Sequence, residues 1–172
     1  MGNYNPVYKS IWTSKHFNQL ASEEKLVYLY LLTNRLTSQL GICSIKPLYI
    51  AGDCGLSEAT IVKILNKLHK NKMIALWSKE NLIFIHKFFK YSKGIIRNPT
   101  ILAKVLCREY ELLDNVRLWE LFTVEYNQEI HEILRKLESN LNKSNTKEEA
   151  KEEIQTAIDG INKLINGTLI KH

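Results

Sequence analysis

The chain has 172 residues, 45% of them hydrophobic, with a formal net charge of +6. That is enough apolar content for a packed core, and no run approaches the roughly 18 apolar residues of a membrane span. The positive balance is local. Residues 1–100 hold 14 Lys and Arg against 5 Asp and Glu, and residues 101–172 hold 10 against 13, which points to a polyanion for the first half and protein contact for the second.

The opening MGNYNPVYKS lacks the charged-then-apolar layout of a secretory leader, and Pro6 stands where a myristoylation signal has Ser or Thr. Cys43, Cys54 and Cys107 are too few and too far apart for a zinc knuckle, and their odd number speaks against a disulfide framework. A reducing, cytoplasmic setting is the expectation. Ile11 and Trp12 are expected to anchor the N-terminal segment on the core. Ser22 opens a helix with Glu23 and Glu24 in its first turn, and Leu26, Tyr28, Leu29, Tyr30, Leu31 and Leu32 make it apolar almost all round, the pattern of a central buried helix. Residues 38–41 break it, and 42–45 read as a short strand.

Residues 47–54 (PLYIAGDC) read as a short helix with Pro at its first position, and Gly55 then supplies the positive φ that turns the chain. Ser57 is an N-cap for residues 57–70 (SEATIVKILNKLHK), with Glu58 in the first turn. Ile61, Ile64, Leu65 and Leu68 form one stripe of that helix, opposite Thr60, Lys63, Asn66, Lys67 and Lys70, with no acid after Glu58. Ala51, Gly55, Ile61 and Ile64 fit a helix-turn-helix: a small residue for close approach, a glycine for the turn, and two aliphatics at the crossing. Residues 57–70 are then the candidate recognition helix, although a plain helical hairpin shares the spacing.

Residues 73–77 (MIALW) and 82–89 (LIFIHKFF) flank the polar tip 78–81 (SKEN) as a hairpin. Three helices and a hairpin in this order make a winged helix. The alternative, an all-α bundle, would extend a third helix through Leu76 and Trp77, but FIHKFF lacks a helical period. Residues 91–97 (YSKGIIR) form a basic connector, and Asn98-Pro99 cap and open a helix running to about Leu113. After a turn at Asp114-Asn115, residues 118–141 read as one helix carrying Ile130, Leu134, Leu137 and Leu141 at spacings of 4, 3 and 4. Asn142 to Asn145 (NKSN) is a linker, Thr146 caps the last helix, and Ile154, Ile158, Ile161 and Ile165 repeat the spacing. These seams must be covered, either by each other as a helical hairpin or by a second chain. The expectation is the second, a homo-oligomer in which both seams meet copies from another chain.

The expected fold is mainly α with a small β-hairpin. Residues 1–97 are read as a winged-helix DNA-binding domain, 98–126 as a helical extension packed on it, and 127–172 as a C-terminal helical hairpin or oligomerisation module. Double-stranded DNA is the expected ligand. Ser57, Thr60, Lys63, Asn66 and Lys67 are assigned to base edges and phosphates, Lys46, Lys70 and Lys72 to phosphates, and Lys79 to the wing tip. The five histidines show no ligand spacing, no Gly-rich phosphate loop occurs, and Asp53 with Glu58 reads as a turn residue and a first-turn charge rather than a catalytic pair. No catalytic residue, cofactor or metal is expected.

YKSIWTSKHF, YLYLLTN, QLGICSI, the helix-turn-helix and a hairpin leading into IIRNP, in that order, resemble the N-terminal domain of phage replisome organisers, which are DnaD-like primosome and replication-initiation proteins. The resemblance covers about residues 8–122, including LWELF at 118–122. It implies a winged-helix DNA binder that works in the bacterial host cytoplasm and helps assemble a phage replication complex. The implied partner is a host or phage helicase or its loader. Residues 127–172 do not match: Tyr126 and Ile130 correspond to the start of the Tyr-Ile-Trp pattern of DnaD-type C-terminal domains, and no Trp follows. On the residues alone, a winged-helix transcriptional regulator and a protein-interaction adaptor that contacts no DNA stay open.

Overall fold

Residues 7–89, 98–143 and 147–169 are described by the computed structural model, which is mainly helical with a small three-stranded antiparallel sheet. The chain divides into two units, Met1–Ser92 and Lys93–His172.

In the first unit a 3-10 turn (Lys9–Thr13) leads into α1 (Lys15–Asn18), and Phe17 and Leu20 seat this segment in the core. Trp12, expected as an anchor, is 58% exposed and makes a T-shaped contact with Phe17, ring centroids 5.2 Å apart. α2 (Ser22–Thr33) opens at Ser22 as expected, with Ala21 in the N-cap position. The Ala21 N–H donates to Glu24 Oε2 at 2.9 Å, so the carboxylate one turn on does the capping from inside the helix. α2 is also less central than its composition implies. Val27 and Leu31 are buried, whereas Leu26 is 46% exposed, because only one face meets α3 and α4.

β1 (Ile42–Ser44) is followed by α3 (Pro47–Cys54), with Pro47 at the first position and Gly55 at φ 68° ending it. α4 (Glu58–Lys70) then crosses α2 and α3 and buries Ile61, Ile64, Leu65 and Leu68. β2 (Ile74–Trp77) and β3 (Leu82–Ile85) form the expected hairpin around the tip 78–81, and β1 adds to the other side of β3, giving the order β1-β3-β2. Ile74 stands opposite Ile85 and Ile42 opposite Phe84. The second strand stops at Ile85 instead of running to Phe89: Lys87 adopts φ 64°, and the left-handed residue turns the chain out of the sheet. Phe88 then packs across Gly41, whose φ is 78°. The basic connector expected at 91–97 lies outside the described residues.

The second unit consists of α5 (Pro99–Leu112), α6 (Val116–Glu125), α7 (Asn127–Leu141) and α8 (Glu148–Leu169). Asn98 Oδ1 accepts from Thr100 N at 2.9 Å, the expected cap ahead of Pro99. The single helix expected over 118–141 is two, broken at Tyr126 (φ −113°, ψ 23°). Just before the break the Thr123 hydroxyl donates to the Trp119 and Glu120 carbonyls, back-bonding that bends helices. The Thr146 cap lies outside the described residues.

α8 packs against α5, α6 and α7. That corrects two expectations. The helices at 98–126 share their core with the C-terminal helices, so the chain divides near residue 92 and not at 126. The seam residues Ile130, Leu137, Ile154, Ile158 and Ile161 are buried under their own chain, with Ile133 in place of Leu134 as the third buried residue of α7. Leu134, Leu141 and Ile165 are half-buried. The requirement that another copy cover these seams therefore falls away, and the internal pairing is the one observed. No helix among the described residues is long and apolar enough to cross a membrane.

Candidate nucleic-acid interface

The candidate surface is built on α4. Ser57 Oγ accepts from the Thr60 N–H at 3.2 Å, which satisfies one orphaned donor of the first turn and fixes where the helix starts. Helical geometry, at roughly 100° per residue, then sends Ile61, Ile64, Leu65 and Leu68 to one side and Thr60, Lys63, Asn66, Lys67 and Lys70 to an arc of about 120° on the other. The structure agrees: the four aliphatics are buried, Lys63, Asn66, Lys67 and Lys70 are exposed, and Thr60 is half-buried. The helix end is tied to the sheet by His69 Nδ1 and the Ile74 carbonyl, 3.2 Å apart.

Several of these side chains already have work. The Ser57 and Thr60 hydroxyls lie 2.8 Å apart in the cap, and Asn66 Nδ2 donates to the Val62 carbonyl at 2.9 Å. Lys67 is not free of acids as its own helix implies. Its Nζ donates to Glu24 Oε1 of α2 at 2.6 Å, with the ammonium side half exposed and the Glu24 side chain only 12% exposed. Burial pushes the Glu24 carboxyl up. The hydrogen bonds from Lys67 and the Ala21 N–H, with the Lys67 charge, outweigh it and hold the carboxyl below its usual 4.5. Lys63 and Lys70 are the other exposed cations of the arc.

The remaining assigned residues separate into two places. Ile45 N donates to the Asn81 carbonyl at 2.9 Å, so Lys46, at the start of α3, neighbours the hairpin tip that carries Lys79. Lys72, at φ 54°, lies at the root of the hairpin where α4 ends. Tip and root are a strand apart, roughly 13 Å at 3.3 Å per residue. The nine residues thus form an α4 arc with Lys72 at its end, and a separate tip pair of Lys46 and Lys79.

Sequence reasoning missed Glu24 because its partner is 43 positions away, and nothing in either helix announces the pair. It also passed over Tyr49 of α3, 61% exposed. Tyr30 joins α2 to α3 behind this surface by donating to Asp53 Oδ2 at 2.6 Å, and burial with that bond pushes the phenol pKa well up. Among the described residues no group of three or more His, Cys, Asp and Glu could hold a metal ion. Comparison with protein-family models, curated proteins and solved structures gave no match to the chain.

Proposed function

We propose that the chain binds double-stranded DNA through a winged helix-turn-helix in its first unit, with α3 and α4 as the helix pair, α4 as the recognition helix and the β2–β3 hairpin as the wing. The observation that carries this is the division of α4. Its aliphatic stripe is buried, and its opposite arc presents Lys63, Lys67 and Lys70 with no acid of its own helix among them. A helix of 13 residues is about 20 Å long and 10–12 Å across, which matches a major groove about 12 Å wide. The hairpin tip with Lys79 and the neighbouring Lys46 would reach phosphates beside the groove. The chain's order of motifs, resembling that of phage replisome organisers, supports a role in replication initiation, with a helicase or helicase loader as partner in the host cytoplasm. The second unit then organises partners through its outer surface, since its apolar seams are already covered.

The test is duplex binding by the full chain across a salt series. Changing Lys63, Lys67 and Lys70 together to Gln is expected to leave the fold intact, because none of the three belongs to the core. The same change should weaken binding at least tenfold and shrink the salt slope by about one per lost phosphate contact. Unchanged affinity and slope would reject α4 as the DNA-facing helix and favour the adaptor reading.

A further inference from the structure

α4 carries an exposed side chain that neither the core nor the cations account for. Val62 is 42% exposed, and as a β-branched residue it is a poorer helix former than Ala, Leu or Lys. A single valine in water needs no explanation; the neighbours of this one give it meaning. At about 100° per residue, Ala59, Asn66 and Lys70 fall within about 20° of one line along the helix, and that line runs opposite the buried stripe of Ile61, Ile64, Leu65 and Leu68. Lys63 and Lys67 stand to one side of it, at about 40° and 80°, and Val62 stands to the other, at about 60°. All six outward residues are exposed. The surface is therefore graded, with cations on one flank and at the C-terminal end, a methyl and an amide along the middle, and an isopropyl group on the far side.

Asn66 is held in place on this surface, because its Nδ2 donates one hydrogen to the Val62 carbonyl at 2.9 Å. A side-chain amide has a second hydrogen and an acceptor oxygen, and these are the two groups that meet adenine at N7 and N6 in a major groove. Apolar carbon is what meets the methyl group of thymine. Val62 and Asn66 are four residues apart, about 6 Å along the axis, or about two base-pair steps at roughly 3.4 Å each. Thr60, by contrast, is tied to Ser57 in the cap, and Lys67 to Glu24. The middle of the helix is thus left to bases and its cationic flank to phosphates.

We infer that α4 reads A·T base pairs, with Asn66 taking adenine and Val62, beside Ala59, taking thymine methyl groups within about two steps of it. The inference rests on the duplex-binding reading above and adds the class of sequence preferred.

The probe is a random-sequence duplex library, from which the full chain selects; the site recovered is expected to hold A·T pairs. In that site, uracil in place of thymine removes only the methyl group and should weaken binding about fourfold. In place of adenine, 7-deazaadenine removes the N7 acceptor and should weaken it several-fold. Val62→Ser should erase the difference between thymine and uracil, and Asn66→Ala that between adenine and 7-deazaadenine. Neither change should alter binding to random duplex, which is held through phosphates. The base-analogue measurements use the unaltered chain and need no variant to fold. Equal binding of thymine and uracil duplexes overturns the role of Val62, and indifference to 7-deazaadenine overturns that of Asn66. A selected site without A·T pairs, or binding with no sequence preference, overturns the inference and leaves duplex binding in place. Absence of any duplex binding at low salt overturns the inference together with the reading beneath it.

Discussion

Ser57 and the two left-handed glycines of the first unit show how different single residues fix the same framework. Ser57→Ala removes the acceptor for the Thr60 N–H and should cost about 1 kcal/mol of stability, read from the midpoint of urea unfolding. Gly55 has open space around a built Cβ, so Gly55→Ala pays only for its positive φ, about 1 kcal/mol. At Gly41 a Cβ would stand 2.5 Å from Phe88 Cβ as well, and Gly41→Ala should be several-fold worse because Phe88 must leave its seat. Equal losses at the two glycines would show that Phe88 moves freely. Glu24 adds a pH dependence. Its carboxyl is held below the usual value in the folded chain, so its contribution is present above about pH 4.5 and is lost as pH falls through the folded pKa. The difference in stability between the unaltered chain and Glu24→Gln, about 0.2–1 kcal/mol with the Lys67 ammonium so exposed, should shrink steadily as the pH is lowered below 4.5 and vanish once the folded carboxyl is protonated.

At the scale of elements, α8 decides whether the second unit is closed. Ile158 is buried against its own bundle, and Ile158→Asp places a carboxylate in that contact. The expected result is loss of helicity in the second unit with no change of mass by light scattering. A clean fall from dimer to monomer with the helices intact would return these seams to an intermolecular role. The spacing of 4, 3 and 4 was legible in the sequence, but it is the same for a stripe that meets its own chain and for one that meets another. Only the packing of α8 on α5, α6 and α7 separates them. Caps, Pro47, Gly55 and the α4 stripe were readable because each acts within one or two turns. The break at Tyr126 was not, since no Gly or Pro marks it and the hydroxyl of Thr123 acts through carbonyls it merely passes. α5 and α8 approach closely where Gly160 faces Cys107 and Gly167 faces Tyr110.

For the whole molecule the two units carry different charge. Residues 1–92 hold 12 Lys and Arg against 5 Asp and Glu, and residues 93–172 hold 12 against 13. Expressed separately, the first piece should melt cooperatively and retain salt-dependent duplex binding, and the second should fold as helices and bind no DNA. Binding that follows residues 93–172 would move the interface off α4. The Lys67–Glu24 pair has a further consequence for how strongly such a surface holds any polyanion. Glu24 is a resident stand-in for phosphate, and an incoming strand competes with it instead of meeting a bare ammonium. Each engagement of Lys67 is then an exchange of one oxyanion for another, and it strands a carboxylate that is only 12% exposed beside a second negative charge. On the proposed DNA-binding reading, the pair would weaken indiscriminate attachment and leave Lys63 and Lys70 to supply the first grip. Glu24→Gln breaks the pair. That variant should bind duplexes of unrelated sequence, and heparin, more tightly than the unaltered chain, with a salt slope steeper by up to about one unit.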